Sequence, residues 1–424
     1  MSGETPVPGP PSMRRAAAAA AVGNIVEWYD WSVYAIFAFY LSAQFFPAGD
    51  PAAALISTFA VFAVGFVARP IGSVTLGRIT DRMGRKAALA ITVTIVAVAS
   101  TLIGLAPTAA SIGTLAAIWL VLMRIAQGLA LGAESSAVGA FLAESARGRR
   151  RGLMVSIYTS TIAIGTLIGS AIGLLLTSVL SNEQMADFGW RIPFLIGGLL
   201  GLLALVVRRH ADETLPDGHE RDPHPVRTLW RDHRRLALGT LIIGGSMALP
   251  FFVLVTGFPA IVELLGAAPE VAFGANLTGL VIMAGLVPAF GAVSDRIGRR
   301  PVLMAGTLGV FFLCVPGVAL LWDPSDAWRV YAAQILAIIP VSAIGATAFA
   351  SLIERYPTAL RGSAFGLMWA IAMAVFGGTG PMIATWLANR GITFTMTAYF
   401  LAMSAAATYA AWRMKETAFT PLRR

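Results

Sequence analysis

Long apolar runs dominate this sequence, and no other feature narrows its fold as far. Twelve runs fall at about 17–46, 53–80, 87–106, 111–143, 152–180 and 190–208, then 236–264, 271–293, 301–321, 328–353, 362–388 and 393–412. A helix needs about 20 residues to cross the hydrocarbon core of a bilayer. Backbone amides in lipid must be paired within their own segment, so the runs are read as helices and the chain as all-α and integral to a membrane. Charge agrees with this. Only 12% of the 424 residues are charged and 57% are hydrophobic, against roughly 25% charged in soluble domains. A soluble chain of this length could not cover its surface, so lipid is part of its solvent.

The longest hydrophilic break, from Arg208 to Arg235, holds seven arginines. It divides the chain into a tail (1–16), an N-terminal six-helix bundle (17–208), a linker (209–235) and a C-terminal six-helix bundle (236–424). Of the 31 Lys and Arg, all but Arg69, Arg124, Arg191, Arg329 and Arg390 fall in segments on one side of the twelve runs. That asymmetry marks the side as cytoplasmic and places both termini there, in the cell's inner membrane. The +9 net charge therefore reports topology, and nucleic-acid binding is rejected. Cys314 stands alone and can form no intrachain disulfide. The four histidines, His210, His219, His224 and His233, sit in the linker and are read as solvated, so no metal site is expected. Residues 1–15 are polar and Pro-rich, and Glu27 and Asp30 interrupt the first run, which argues against a cleaved signal and for a retained helix behind a short disordered tail. There is no Gly-Lys-[Ser/Thr] phosphate loop. Energy for any vectorial work must come from a gradient, and no cofactor is implied.

The two halves repeat each other. Gly77-Arg-Ile-Thr-Asp81-Arg82-Met-Gly84-Arg85-Lys86 follows the second run, and Gly291-Ala-Val-Ser-Asp295-Arg296-Ile-Gly298-Arg299-Arg300 follows the eighth, 214 residues later. Glu144 with Arg151-Gly152 recurs as Glu354 with Arg361-Gly362 at an offset of 210. Such recurrence means parallel six-helix repeats related by an axis along the membrane normal.

Charge inside a span costs about 2.5–3.5 kcal/mol per residue on insertion scales, and its survival there points to function. Five such residues stand out, Glu27, Asp30, Arg69, Arg124 and Glu134, all in the N-terminal half. Glu27 and Asp30 share a helix face with Gly23 and Tyr34. Three acids face two arginines, so at least one carboxylate lacks a full cationic partner and can exchange a proton. Glu27, Asp30 and Glu134 are the expected proton-coupling acids. Arg124, with Gln127 and Glu134 on nearby parts of its helix, needs an acceptor within the membrane, and a substrate carboxylate could serve in bidentate geometry. Arg69 could add a second contact. Tyr34, Trp369, Gln334, Asn276 and Thr347 are the other groups expected to meet a polar solute. Gly165, Gly169 and Gly173 recur every four residues and let helices approach closely. The cluster Gly377-Gly378-Thr379-Gly380-Pro381 would weaken a helix, and is read as a hinge or unwound segment.

The duplicated G-x-x-x-D-R-x-G-R-[KR] loop resembles the hallmark of the major facilitator superfamily. Gly23-Asn24-Ile-Val-Glu27-Trp28-Tyr29-Asp30, Ala68-Arg69-Pro70-Ile-Gly72, Arg124-Ile-Ala-Gln127-Gly128 and Gly189-Trp190-Arg191-Ile-Pro193-Phe194 resemble its metabolite:proton symporter family. That family includes permeases for α-ketoglutarate, shikimate, citrate and proline/betaine. The resemblance implies proton-driven uptake by alternating access, with Asp81, Arg85, Asp295 and Arg299 as the conformational latch. Two departures stand out. Gly132-Ala133-Glu134-Ser135 replaces the family's usual Gly-Gly-Glu-Tyr, and the run around Phe251-Phe252 lacks the tyrosines common there. The expected partners are therefore protons, lipid and a small solute, first an organic mono- or dicarboxylate and second a proline- or betaine-like zwitterion. The expected state is a monomer. Rival readings are a proton-antiport exporter, a sensor on a transporter scaffold, which would want an output domain, and an intramembrane enzyme, which would want a nucleophile or a histidine within a span.

Overall fold

The computed structural model describes residues 10–47, 49–83, 85–132, 150–209, 225–321, 323–361, 363–390 and 393–420. At 10–20, 73–74, 76–83, 85–89, 207–209, 225–226, 359, 363 and 393–394 it describes backbone only. The secondary structure of these residues is helical. The first six crossings are α1 (Pro10–Ile36, prolonged by Ala38–Phe45), α2 (Pro51–Met83), α3 (Arg85–Gly104), α4 (Leu115–Leu131), α5 (Arg151–Val179) and α6 (Ile192–Arg209). The second six are α7 (Arg234–Phe251), α8 (Pro269–Ile297), α9 (Arg299–Gly309), α10 (Ala327–Ile353), α11 (Ser363–Ala372) and α12 (Thr393–Arg413). Eight spans among the described residues are both long and apolar enough to cross a membrane, and Ala90–Gly104 and Leu115–Leu131 are shorter apolar helices.

Most boundaries fall within a few residues of the apolar runs. One does not. α1 begins at Pro10, inside the segment read as a disordered tail. Proline suits the first helical turn because its missing N–H would be unpaired there anyway, and the alanines at 16–21 carry the helix on. The linker holds a short helix, Pro225–Asp232, which buries Leu229 in the apolar core of the C-terminal bundle.

α7, α9 and α11 do not end where their regular part does. Each passes through a wider π-type turn, Phe252–Thr256, Val310–Cys314 and Met373–Gly378, and resumes as Phe258–Leu264, Val315–Leu320 and Gly380–Asn389. Proline explains all three, because Pro259, Pro316 and Pro381 follow two or three residues after the turn. A proline inside a helix cannot donate and its ring strikes the preceding turn. Slipping the ladder by one residue relieves the clash and keeps the helix running. The Gly377–Pro381 cluster, expected to be a hinge or an unwound segment, is a widened turn within a continuous crossing.

Apart from α5, which packs most on α8, the helices α1 to α6 pack chiefly on one another, and α7 to α12 largely do the same. Contacts between the two bundles concentrate on α5 with α8, and on α2 with α11 and its continuation. The glycine repeat of α5 permits this. A side chain at Gly165 would strike the α1 backbone at Ile25 and Tyr29, and one at Gly173 would strike the Phe273 ring of α8. The end of the molecule that carries the repeated charged loops is called the basic end below, and the opposite end the far end.

Candidate functional site

Two guanidiniums stack on one indole. Trp31 of α1 is fully buried, with Arg69 of α2 at 3.9 Å and Arg124 of α4 at 4.1 Å from its ring centroid. Arg124 also lies 4.3 Å from Tyr34 and 5.3 Å from Phe62, and Arg69 lies 4.7 Å from Phe66. Ring faces are negative and partly replace water around a buried cation. Helix periodicity supplies the rings, because Trp31 and Tyr34 on α1 lie three residues apart, as do Arg124 and Gln127 on α4.

Hydrogen bonds then link the cation to an acid through an amide. Arg124 Nη1 donates to Gln127 Oε1 at 2.9 Å, and Gln127 Nε2 donates to Asp30 Oδ2 at 2.7 Å. Among the described residues, Arg124 Nε and Nη2 and Arg69 Nε are buried without a hydrogen-bond partner. The unused donors of Arg124 are of the kind that a carboxylate accepts from in fork geometry. Tyr34 places its hydroxyl elsewhere, donating to the Thr58 carbonyl at 3.0 Å, and only its ring serves Arg124.

Glu27 and Asp30 line a cavity within the N-terminal bundle, together with Gly23 and Val26 of α1, Thr92 and Val96 of α3, Leu131 of α4 and Gly197 of α6. Glu27 is also close enough to Arg69 for their charges to attract. Of the expected coupling acids, these two come together on one side of the arginine–indole stack. Glu134 lies outside the described residues.

Between the bundles the described surface is aromatic. Phe252, on the π-type turn after α7, sits 4.9 Å from Phe66, 5.9 Å from Phe62 and 6.2 Å from Trp28 by ring centroids. Its neighbour Phe251 meets Trp28 edge-on at 6.0 Å. The residues named in the C-terminal half do not join this cluster. Asn276 of α8 donates to Ser170 Oγ of α5 at 2.8 Å and accepts from Gln334 of α10 at 2.9 Å, a bundle-to-bundle tie toward the far end. Trp369 packs within its own bundle, on Phe349 at 5.2 Å and Phe365 at 5.8 Å. Thr347 hydrogen-bonds back to Ala343.

Several motif residues hold helices together. Arg191 donates to the Gly104 and Ala106 carbonyls at 3.0 and 2.7 Å, capping the end of α3. Tyr29 donates to the Pro193 carbonyl at 2.7 Å, and Asn24 donates to Thr161 of α5 at 2.6 Å.

At the basic end, the second copy of the repeated loop forms a charge network. Asp295 accepts from the Gly152 and Leu153 amides, both at 2.9 Å, at the N-terminus of α5 in the other bundle. Arg299 pairs with Asp295 at 2.8 Å and with Glu354 at 3.3 Å, and Arg151 lies 3.8 Å from Glu354. Glu416 accepts from the Arg299 and Arg300 amides at 2.8 and 3.0 Å, capping the start of α9. Burial alone would raise the Glu416 carboxyl, but its four backbone donors outweigh that and hold it below the usual range. In the first copy, the side chains of Asp81 and Arg85 lie outside the described residues.

One buried acid stands apart from the five charges within the spans: Glu263, on the helix Phe258–Leu264 that continues α7 just past the apolar span Arg234–Thr256. It is 7% exposed. The signal was present, since Glu263 is the only acid in the run 236–264, but its place beside Leu264 and Leu265 at the run's end makes it read as a loop flank.

Two six-helix membrane bundles closing on a buried charge cluster define the class: a solute transporter. Residues 20–381 match the model of the Major Facilitator Superfamily, and the chain belongs to that family. It is 30% identical to the proline/betaine transporter of Salmonella typhimurium, over 97% of this chain and 85% of that one. It is 32% identical to the citrate-proton symporter of Klebsiella pneumoniae, over 86% of this chain and 83% of that one. Among solved structures it resembles the xylose transporter XylE from E. coli, in a partially occluded inward-open conformation, with a TM-score of 0.74 at 18% identity, covering 97% and 100% of the two chains.

Proposed function

We propose that this protein is a proton-coupled symporter that takes up a small organic anion, a mono- or dicarboxylate, by alternating access. The observation that carries the anion is Arg124. It is fully buried, and among the described residues two of its nitrogens have no hydrogen-bond partner. Leaving charged donors unmade is costly in a low dielectric, and a substrate carboxylate would relieve that cost. The citrate-proton symporter relative supports the same class. Glu27 and Asp30 are assigned as the coupling acids, on a cavity beside the stack, with Glu134 as a third. Asp81, Arg85, Asp295 and Arg299 form the latch at the basic end. That end is cytoplasmic, with both termini, and the linker 209–235 joins bundles spanning 17–208 and 236–424. The working unit is a monomer, and its partners are substrate, protons and lipid. A zwitterionic substrate is the second reading, favoured by the rings of Trp28, Phe62, Phe66 and Phe252. Such faces suit a quaternary or secondary ammonium, and one relative is a proline/betaine transporter.

The test is a thermal-shift screen of organic acids, amino acids and betaines on purified protein, followed by uptake in proteoliposomes under an imposed pH gradient. Arg124→Lys keeps charge but loses the fork and should raise KM. Arg124→Gln should weaken binding by about tenfold or more, the scale of a charged hydrogen bond. Wild-type affinity in Arg124→Gln would overturn the carboxylate assignment.

A further inference from the structure

Glu263 occupies a position that a permanent charge could not hold cheaply. It lies beyond the apolar span Arg234–Thr256, on the helix Phe258–Leu264 that turns toward the far end. Both carboxylate oxygens are buried, and among the described residues the Tyr40 hydroxyl is the hydrogen-bonding group that approaches them. This helix packs on the α1 prolongation Ala38–Phe45, on α1 itself, on α8 and on the π-type turn that precedes it. From the α1 prolongation the Tyr40 phenol acts on Glu263, and from α8 the acid Glu270 does. The described ionisable side chains on α1 are engaged in the N-terminal bundle, Asp30 by Gln127, Tyr34 by Thr58, Tyr29 by Pro193 and Glu27 by Arg69. The π-type turn Phe-Val-Leu-Val-Thr has no ionisable side chain. No cation acts on Glu263 among the described residues.

The location matters as much as the burial. The contact between Phe258–Leu264 and Ala38–Phe45 joins one bundle to the other at the far end. Around it the same closure includes Phe37 against Phe273 at 5.3 Å and Asn389 donating to Asp50 at 3.2 Å. If the bundles part there, as alternating access requires, water reaches Glu263 and ionises it. Closing again around a bare carboxylate would strip its hydration with no cation in return.

We propose that Glu263 is a proton-binding residue whose protonation seals the far end of the transporter. The carboxylate takes one proton from far-side water and becomes a neutral acid, whose O–H can donate to the Tyr40 phenol oxygen. The closed state holds that proton and the open state releases it. Low pH on the far side therefore favours closure, and closure is lost as pH rises. This rests on the alternating-access reading but not on the substrate's identity, nor on Glu27 or Asp30.

The experiment places spin labels at two exposed positions across the contact, Ala43→Cys and Ala268→Cys, in a Cys314→Ser background. Inter-label distances are then read in lipid nanodiscs from about pH 5 to about pH 9, a range bracketing the ordinary and raised positions of a glutamate. No substrate is present, so a failed carboxylate assignment at Arg124 leaves this readout untouched. The wild-type ratio of short to long distances should fall by up to about tenfold per pH unit, the limit for one linked proton. Glu263→Gln, neutral at every pH, should stay short and lose this dependence, and Glu263→Asp should keep the dependence with a moved midpoint. A wild-type ratio that does not vary with pH overturns the proposal without any variant. So does a Glu263→Gln protein that keeps the wild-type slope.

Discussion

A guanidinium keeps its proton at any accessible pH, so Arg69 and Arg124 must be housed as cations. Aromatic faces and one amide do this, and among the described residues no carboxylate touches Arg124 directly. Gln127 stands between Asp30 and Arg124, which leaves the acid electrically aware of the cation without a permanent ion pair. An anion arriving at Arg124 would weaken the hold of the cation on Asp30 and favour its protonation, which is the coupling that symport needs. Asp30→Asn tests this with little change of shape, because an amide oxygen can still accept from Gln127 Nε2. Uphill uptake driven by a pH gradient should be lost, while counterflow of substrate across the same vesicles persists. Continued accumulation against a gradient in Asp30→Asn would transfer the coupling role to Glu27 or Glu134.

At the scale of helices, the apolar runs give the crossings to within a few residues, because lipid leaves the backbone no alternative to a helix. What the runs could not show is how neighbouring crossings meet. Asn276 and Gln334 are polar residues in spans, and nothing in their own sequence reveals that Ser170 on α5 would answer them. The π-type turns were partly legible. Each precedes a proline, and at Gly377–Pro381 the composition suggested bending, but a widened turn and an unwound one follow from the same residues. The turn after α11 also has a packing consequence. A side chain at Gly377 would meet the Phe252 ring, and that ring is already fixed by Phe66, Phe62 and Trp28. Gly377→Ala should therefore destabilise the detergent-solubilised protein by about 1–3 kcal/mol, the usual cost of overpacking. Adding Phe252→Leu should return part of that loss, so the two changes will be non-additive in thermal unfolding. Additive effects would mean that the two turns do not meet in the working protein.

Across the whole molecule, α5 and α8 touch near both ends, at Gly173 with Phe273 and at Gly152 with Asp295. A transporter that opens to either side must break one of these contacts at a time. At the basic end, Asp295 ties the C-terminal bundle to the backbone of the N-terminal one. It takes two amides from the first turn of α5, where the helix dipole favours negative charge, while its own bundle supplies Arg299. Glu416 reinforces the same corner, capping α9 beside Arg299. Its lowered carboxyl keeps that cap ionised at neutral pH, and the cap's contribution fades only as pH falls through the lowered value. Asp295→Asn offers one acceptor oxygen in place of two and turns an amide donor toward Arg299. At least one α5 amide then loses its partner and the charge pair is gone, so the basic end should open more often. Maleimide labelling of Leu153→Cys, in a Cys314→Ser background, should speed up several-fold in Asp295→Asn, while transport slows and expression stays at the wild-type level. Glu354→Gln, which weakens Arg299's other support and the longer pair with Arg151 of α5 but leaves both α5 amides bonded, should give a smaller increase. If Glu354→Gln opens the basic end as far as Asp295→Asn does, the latch lies in the charge network as a whole and not in the hydrogen bonds of Asp295 to α5.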